Sequence, residues 1–182
     1  MRKIITLKHI KQMKNKIKIF DFDGTLVSTP LPDSGRVEYQ KKTGKEWPHK
    51  GWWSQADSLD TSIFEMPVVL DVITDYHRVK KEEGVVMVLL TGRLKKLGDH
   101  VKKVLDEKEL VFDEYHYNYG GSTDVFKLRV LDSLVEKYPN SAFELWEDRL
   151  EHVPTFEDWG KRNALDGKIT DFQINVVPAG RH

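Results

Sequence analysis

Residues 20–27 read FDFDGTLV and place two aspartates, Asp21 and Asp23, two positions apart. They close a short apolar run, Ile17-Lys18-Ile19-Phe20. Side chains i and i+2 of a strand share a face. The spacing therefore predicts two carboxylates side by side where a strand, Lys16–Asp21, opens into a Gly24-Thr25 turn. Like charges that close disfavour each other's ionised form unless a cation or a proton relieves them. Such a pair is expensive to build for structure alone, and it suits a phosphoryl-transfer site with Mg²⁺.

Polar residues also follow two other apolar runs. Thr91-Gly92-Arg93 follows Val85–Leu90, a wholly apolar run, half of it valine, of the kind buried on both faces of a sheet. Glu147-Asp148 follows the predicted strand Ala142–Trp146. If these strands are parallel, all three groups meet at one edge, where open α/β sheets bind ligands.

The elements between them fit that arrangement. Val68, Val69, Val72, Ile73, Tyr76 and Val79 give residues 67–81 one apolar helical face, with Pro67 near the start and Gly84 after the end. A second helix is predicted over Asp99–Glu109, with Val101, Val104 and Leu105 inward. A strand is expected over Tyr115–Tyr119, and then a Gly120-Gly121 turn. Ser122 or Thr123 can cap a helix over Asp124–Tyr138. A further helix over Val153–Arg162 and a final strand over Phe172–Val177 complete the series. Strands alternating with helices imply a three-layer, Rossmann-like α/β sandwich with a mainly parallel central sheet. Residues 28–66 hold Pro, Gly and aromatics without a clear period and read as a small, irregular, cap-like insertion after the first core strand.

Composition narrows the options. The 182 residues suit one domain, here 17–182, and 39% hydrophobic with 32% charged content describes a globular chain. No apolar run reaches the roughly 20 residues that span a bilayer. The absence of cysteine excludes disulfides, thiolate nucleophiles and cysteine zinc sites. The N-terminus carries no secretory h-region, so a cytoplasmic setting is expected. Residues 1–18 contain Arg2, Lys3, Lys8, Lys11, Lys14, Lys16 and Lys18 and no acid. This stretch, which includes the basic N-terminal segment 1–16, reads as a solvated lead-in to the first strand or as an arm, Lys18 included, for nucleic-acid phosphates. The P-loop pattern GxxxxGK[ST] is absent.

The motifs together resemble the haloacid dehalogenase (HAD) superfamily, whose members are mostly phosphatases. DFDGT (21–25) matches its first motif, LLTGR (89–93) its second, Lys127 in TDVFKLRV its third and LWEDR (145–149) its fourth. The resemblance covers residues 17 to about 160 and implies a site. Asp21 would be the nucleophile that forms an aspartyl-phosphate. Asp23 would protonate the leaving oxygen and later activate water, its pKa raised by neighbouring negative charge. Thr91 would hydrogen-bond a phosphoryl oxygen, and Lys127 would balance charge. Lys137 is the competing lysine, at a helix end where a cation also suits the helix dipole. Mg²⁺ would be held by Asp21, the Asp23 carbonyl and Asp148. Glu147 stands where many relatives have Asp, as a direct ligand or one step removed. Thr25, Gly92 and Arg93 would face the substrate.

Three features bear on which phosphate is removed. TGR and EDR resemble the phosphatase half of polynucleotide end-healing enzymes, which gives Arg93 a bidentate phosphate contact. The insertion and EDRLEHVPTF resemble the Swiss Army Knife RNA-repair-like branch. Trp47, Trp52 and Trp53 lie beside His49, Lys45 and Lys50, so they either stack a base or pack the insertion onto the core. His152, four residues after Asp148, reads as structural or capping ahead of catalytic. The expectation is a Mg²⁺-dependent phosphomonoesterase acting on the 3′-phosphate of a nucleic-acid end, with no membrane partner. The alternatives are a small-molecule phosphatase such as a nucleotidase, and an inactive module that grips nucleic-acid ends.

Overall fold

Five strands, β1 (Lys16–Phe20), β2 (Val85–Leu94), β3 (Glu114–Asn118), β4 (Ala142–Glu147) and β5 (Asp171–Val176), form one sheet. The computed structural model describes residues 15–178. The strand order is β3-β2-β1-β4-β5, and every neighbouring pair is parallel. β1 is therefore central, with β2 and β4 on either side, so the three predicted polar groups do leave one edge of the sheet.

The pleat divides the core. Ile17, Ile19, Val88, Leu90, Phe143 and Leu145 face one layer. Phe20, Met87, Leu89 and Trp146 face the other, where the Phe20 and Trp146 rings stack at 4.2 Å. Helices α4 (Thr123–Lys137) and α5 (Val153–Leu165) cover the first layer through Leu131, Leu134, Phe156 and Trp159. Helices α2 (Leu70–Lys80) and α3 (Gly98–Glu107) cover the second through Val72, Tyr76, Val79, Val101, Val104 and Leu105. These spacings of three and four residues are the apolar stripe of a core-facing helix. Each such side chain, fully buried, contributes about 1.5–3 kcal/mol.

Three expectations need correcting. The insertion is not irregular: it contains α1 (Pro32–Thr43) and a 3₁₀ turn at Ala56–Leu59. Gly35 is the buried residue of α1, so the helix has no apolar stripe for periodicity to reveal. A Cβ at Gly35 would lie 2.2 Å from the Trp52 ring, and glycine is what lets α1 pack there. Second, α2 begins at Leu70, and Val68 is instead bridged to Val27, so Pro67 precedes the helix rather than sitting in its first turn. Third, Lys18 cannot serve as part of a phosphate-binding arm. It is buried in β1 with its ammonium 2.5 Å from Glu144. Arg2, Lys3, Lys8, Lys11 and Lys14 lie outside the described residues. No described helix is long and apolar enough to cross a membrane.

Candidate active site

β1 ends at Phe20, one residue earlier than predicted, so the pleat does not align Asp21 with Asp23. A turn does the placing. The N–H groups of Thr25, Leu26 and Val27 all donate to the Phe22 carbonyl. Gly24 adopts φ 69° there, a conformation open to glycine at little cost. Asp21 and Asp23 both line one cavity yet face different partners.

Asp21 faces a cluster of buried charges. The Lys127 ammonium lies 3.1 Å from its carboxylate and 2.5 Å from Glu147, and the lysine side chain is 1% exposed. α4 delivers Lys127 from its second turn, while Lys137, at the far end of α4, pairs with Glu114. Glu147 is the last residue of β4 and is wholly buried. One oxygen meets Lys127, and the other accepts the backbone N–H groups of Asp148 and Arg149 at 3.2 and 3.1 Å. Glu147 thereby fixes both the lysine and the turn that carries Asp148. The Thr25 hydroxyl stands 3.4 Å from carboxylate oxygens of both Asp21 and Asp148.

Among the described residues, Asp21, Glu147 and Asp148 form a group able to hold a metal ion, with one carboxylate oxygen from each within 4.8 Å of the others. Three carboxylates meet one ammonium, an excess of two negative charges. Hard oxygen donors with that excess fit Mg²⁺. The strain of the arrangement shows in the acidities. Burial pushes the Asp21 carboxyl well above its ordinary range, and the charges of Glu147, Asp148 and Asp23 push it further, against the pull of Lys127. Burial would also neutralise Lys127, yet Asp21 and Glu147 hold its ammonium more firmly charged than usual.

Asp23 has a separate partner, Arg93. β2 runs on through Thr91-Gly92-Arg93, and its pairing with β3 shifts between Thr91 and Leu94. Such a bulge re-aims side chains, and here it turns Arg93 across to Asp23. Nε donates at 2.9 Å and Nη2 at 2.8 Å to the Asp23 carboxylate. Nη1 donates to the Trp53 carbonyl and the Ser58 hydroxyl, both at 2.8 Å. The guanidinium fork expected to face substrate phosphate is thus closed on Asp23 and the insertion. The expected rise in the Asp23 pKa is corrected as well. Burial would raise it, but the charge and hydrogen bonds of Arg93 and the Thr29 hydroxyl at 2.6 Å hold it below the ordinary range.

The cavity, of about 280 Å³, is lined by Asp21, Asp23, Gly92, Arg93, Lys127 and Asp148, and also by Leu31, Trp53, Thr123 and Arg149. Thr91 is fully buried, and its hydroxyl oxygen accepts the Arg93 backbone N–H at 3.1 Å, so it braces the bulge. Gly92 packs against the start of α4, where a Cβ would lie 2.7 Å from the Thr123 side chain. Ser122 is the N-cap of α4, but its hydroxyl bonds to the Asp124 carboxylate. His152 occupies the N-cap position of α5 without a side-chain capping hydrogen bond, and its ring packs edge-on to Phe156.

Sequence reasoning passed over Thr29, Ser58, Thr123 and Arg149. Arg149 directly follows the acidic pair, and its place in EDR was a usable signal. Thr29 and Ser58 reach the site from the insertion, at positions no spacing rule marks.

Residues 37–182 match the sequence family described as HAD domain family 1 in Swiss Army Knife RNA repair proteins. That span includes Thr91, Arg93, Lys127, Glu147 and Asp148 and starts after Asp21 and Asp23. Among solved structures, a chain of the Pnkp1/Rnl/Hen1 complex superposes with a TM-score of 0.60 at 16% identity over 93% of this chain. A chain of the Pnkp1/Rnl/Hen1 RNA repair complex gives 0.57 at 18% identity, again over 93%. This chain spans about half the length of those two, 48% and 44%. A haloacid dehalogenase-like hydrolase from Streptococcus pneumoniae gives 0.50 at 12% identity, covering 87% of this chain and 93% of that one. At these identities the structures establish a shared fold.

Proposed function

Because the chain belongs to HAD domain family 1 of the Swiss Army Knife RNA repair proteins, we propose that this HAD-type phosphatase removes a terminal 3′-phosphate from a polynucleotide through an aspartyl-phosphate on Asp21. The observation that carries the chemistry is the cluster of buried Asp21, Lys127 and Glu147 with half-buried Asp148, of which Asp21, Lys127 and Asp148 line the cavity. Asp21, Asp148 and the Asp23 carbonyl would hold Mg²⁺, with Glu147 as the brace behind them. The ion would neutralise charge between the nucleophile and an anionic phosphate.

In the first half-reaction an Asp21 oxygen attacks phosphorus, the bond from phosphorus to the leaving oxygen breaks, and Asp23 supplies the proton that oxygen needs. In the second, water attacks the phosphorus of the aspartyl-phosphate, Asp23 takes the water's proton, and inorganic phosphate leaves. Lys127 balances the carboxylate charge of Asp21 before attack and after hydrolysis, and the charge of the phosphoryl group in between. Arg93 favours ionised Asp23, the form the second half-reaction uses, and the negative charge of a bound phosphate would push Asp23 toward the protonated form the first needs. Arg149, Thr123 and the Gly92 backbone offer further phosphate contacts.

Two features support a polymer end as substrate. The cavity, of about 280 Å³, lies at the lower edge of the roughly 300–1,000 Å³ range of ligand pockets, and the exposed side chains of Leu31 and Trp53 in its wall leave room for a larger molecule to extend out of it. The matching family is described for RNA repair proteins, and one structural neighbour is a chain of a complex named for RNA repair; an RNA-repair assembly inside the cell is the setting this reading favours. The test is phosphate release with Mg²⁺ from 3′-phosphorylated RNA and DNA oligomers, 5′-phosphorylated oligomers, mononucleotides and sugar phosphates. The 3′-phosphorylated oligomers should show the highest kcat/KM. A preference for mononucleotides or sugar phosphates would overturn the polymer assignment.

A further inference from the structure

We propose that Trp53 is the stacking platform for the nucleobase that adjoins the scissile phosphate, set in place by Arg93; this rests on the polynucleotide reading above. The three tryptophans of the insertion have separate fates. The Trp47 indole N–H donates to the Gly51 carbonyl at 2.9 Å, and its ring packs against Tyr39, His49 and Trp52. Trp52 is 3% exposed, donates to the Pro30 carbonyl at 3.0 Å and belongs to the core. These two hold the insertion down. Trp53 does not share that work: it is 40% exposed and forms part of the cavity wall.

Its position is fixed from below. The Trp53 carbonyl accepts a hydrogen bond from Arg93 at 2.8 Å, and the same guanidinium lies 4.9 Å from the indole ring. Arg93 is in turn clamped to Asp23. One side chain therefore ties an aromatic surface to the group assigned to the leaving oxygen. Leu31, 39% exposed, adds a second apolar surface to the same wall. Asp21, Lys127, Asp148 and Arg149 line the cavity with charge. A ligand that satisfies both surfaces has a phosphate joined to a flat, apolar-faced group, which describes a nucleotide. A sugar phosphate would set its hydroxyls against Trp53 and Leu31, whose one polar side-chain group is the indole N–H.

The test compares two 3′-phosphorylated oligomers, one with a natural base on the terminal nucleotide and one abasic there. The reading is the ratio of their kcat/KM values in the wild type, Trp53→Phe, Trp53→Leu and Trp53→Ala. Stacking on an aromatic ring predicts a ratio of about tenfold or more in the wild type. Phe should keep most of it, while Leu and Ala should bring it close to one, mainly through KM. The Leu variant keeps bulk over Arg93 and decides the matter if Ala does not fold. A wild-type ratio near one, or an undiminished ratio in Trp53→Leu, would overturn the platform and leave the phosphatase reading standing. Hydrolysis of small phosphates with neither oligomer cleaved would remove the polynucleotide reading and the platform together.

Discussion

At the scale of single residues, the site is two hydrogen-bonded charge systems with separate partners that act on each other through space: Asp23 raises the pKa of Asp21, and Lys127 lowers that of Asp23. Asp21 shares Lys127 with Glu147, and Asp23 shares Arg93 with the insertion. Lys127→Met leaves two buried carboxylates without their cation. Losing one partner of a buried ion pair costs about 3–5 kcal/mol, and denaturant unfolding without Mg²⁺ should show a loss of that order, together with loss of turnover. Arg93→Lys keeps the charge and loses the fork, so it is not conservative here. We expect kcat/KM to fall about tenfold or more, and limited proteolysis to cut residues 28–66 faster than in the wild type. Unchanged kinetics and cleavage would show that the clamp has no consequence. The aspartates were legible because DFDGT states both residue type and spacing. The lowered Asp23 pKa was not, because its cause is a fork 70 residues away in sequence that reaches it through a bulge.

At the scale of elements, helices and strands were legible where burial is periodic. α2, α3, α4 and α5 each present a clear stripe, and the buried runs of β2 and β4 stand out as apolar segments. α1 was not legible, since its packing surface is a missing side chain, Gly35. Gly92→Ala tests the bulge. Its methyl would press on Thr123, so Arg93 and the start of α4 must part, and turnover should drop while global unfolding changes little. A second device ties β3 to α4. Burial alone would raise the Glu114 pKa, but Tyr138, Lys137 and His116 hold it below its ordinary 4.5. A carboxylate depressed in the fold stabilises it above its unfolded pKa and loses that contribution as pH falls through the folded value. Glu114→Gln should therefore lower Tm at neutral pH and flatten the acid side of the Tm–pH curve. Identical wild-type and mutant curves would show that the contact contributes nothing.

At the scale of the whole molecule, a parallel sheet with β1 at its centre brings four distant segments to one edge, and the insertion completes the cavity over them. Fold class was readable from alternation alone, and the meeting of the motifs followed from it. How the insertion closes the site was not, because its contacts are backbone carbonyls and single hydroxyls. Mg²⁺ binding should raise Tm in the wild type and much less in Asp148→Asn; equal shifts in both would move the ion elsewhere. The central claim is that Asp21 itself carries the phosphoryl group. The direct measurement is acid quenching of early turnover on a 3′-phosphorylated RNA oligomer labelled in its terminal phosphate, followed by peptide mapping. Label should appear on the peptide that contains Asp21 and be absent in Asp21→Asn, which should also release no phosphate. Label on another residue, or phosphate release by Asp21→Asn at the wild-type rate, would contradict it.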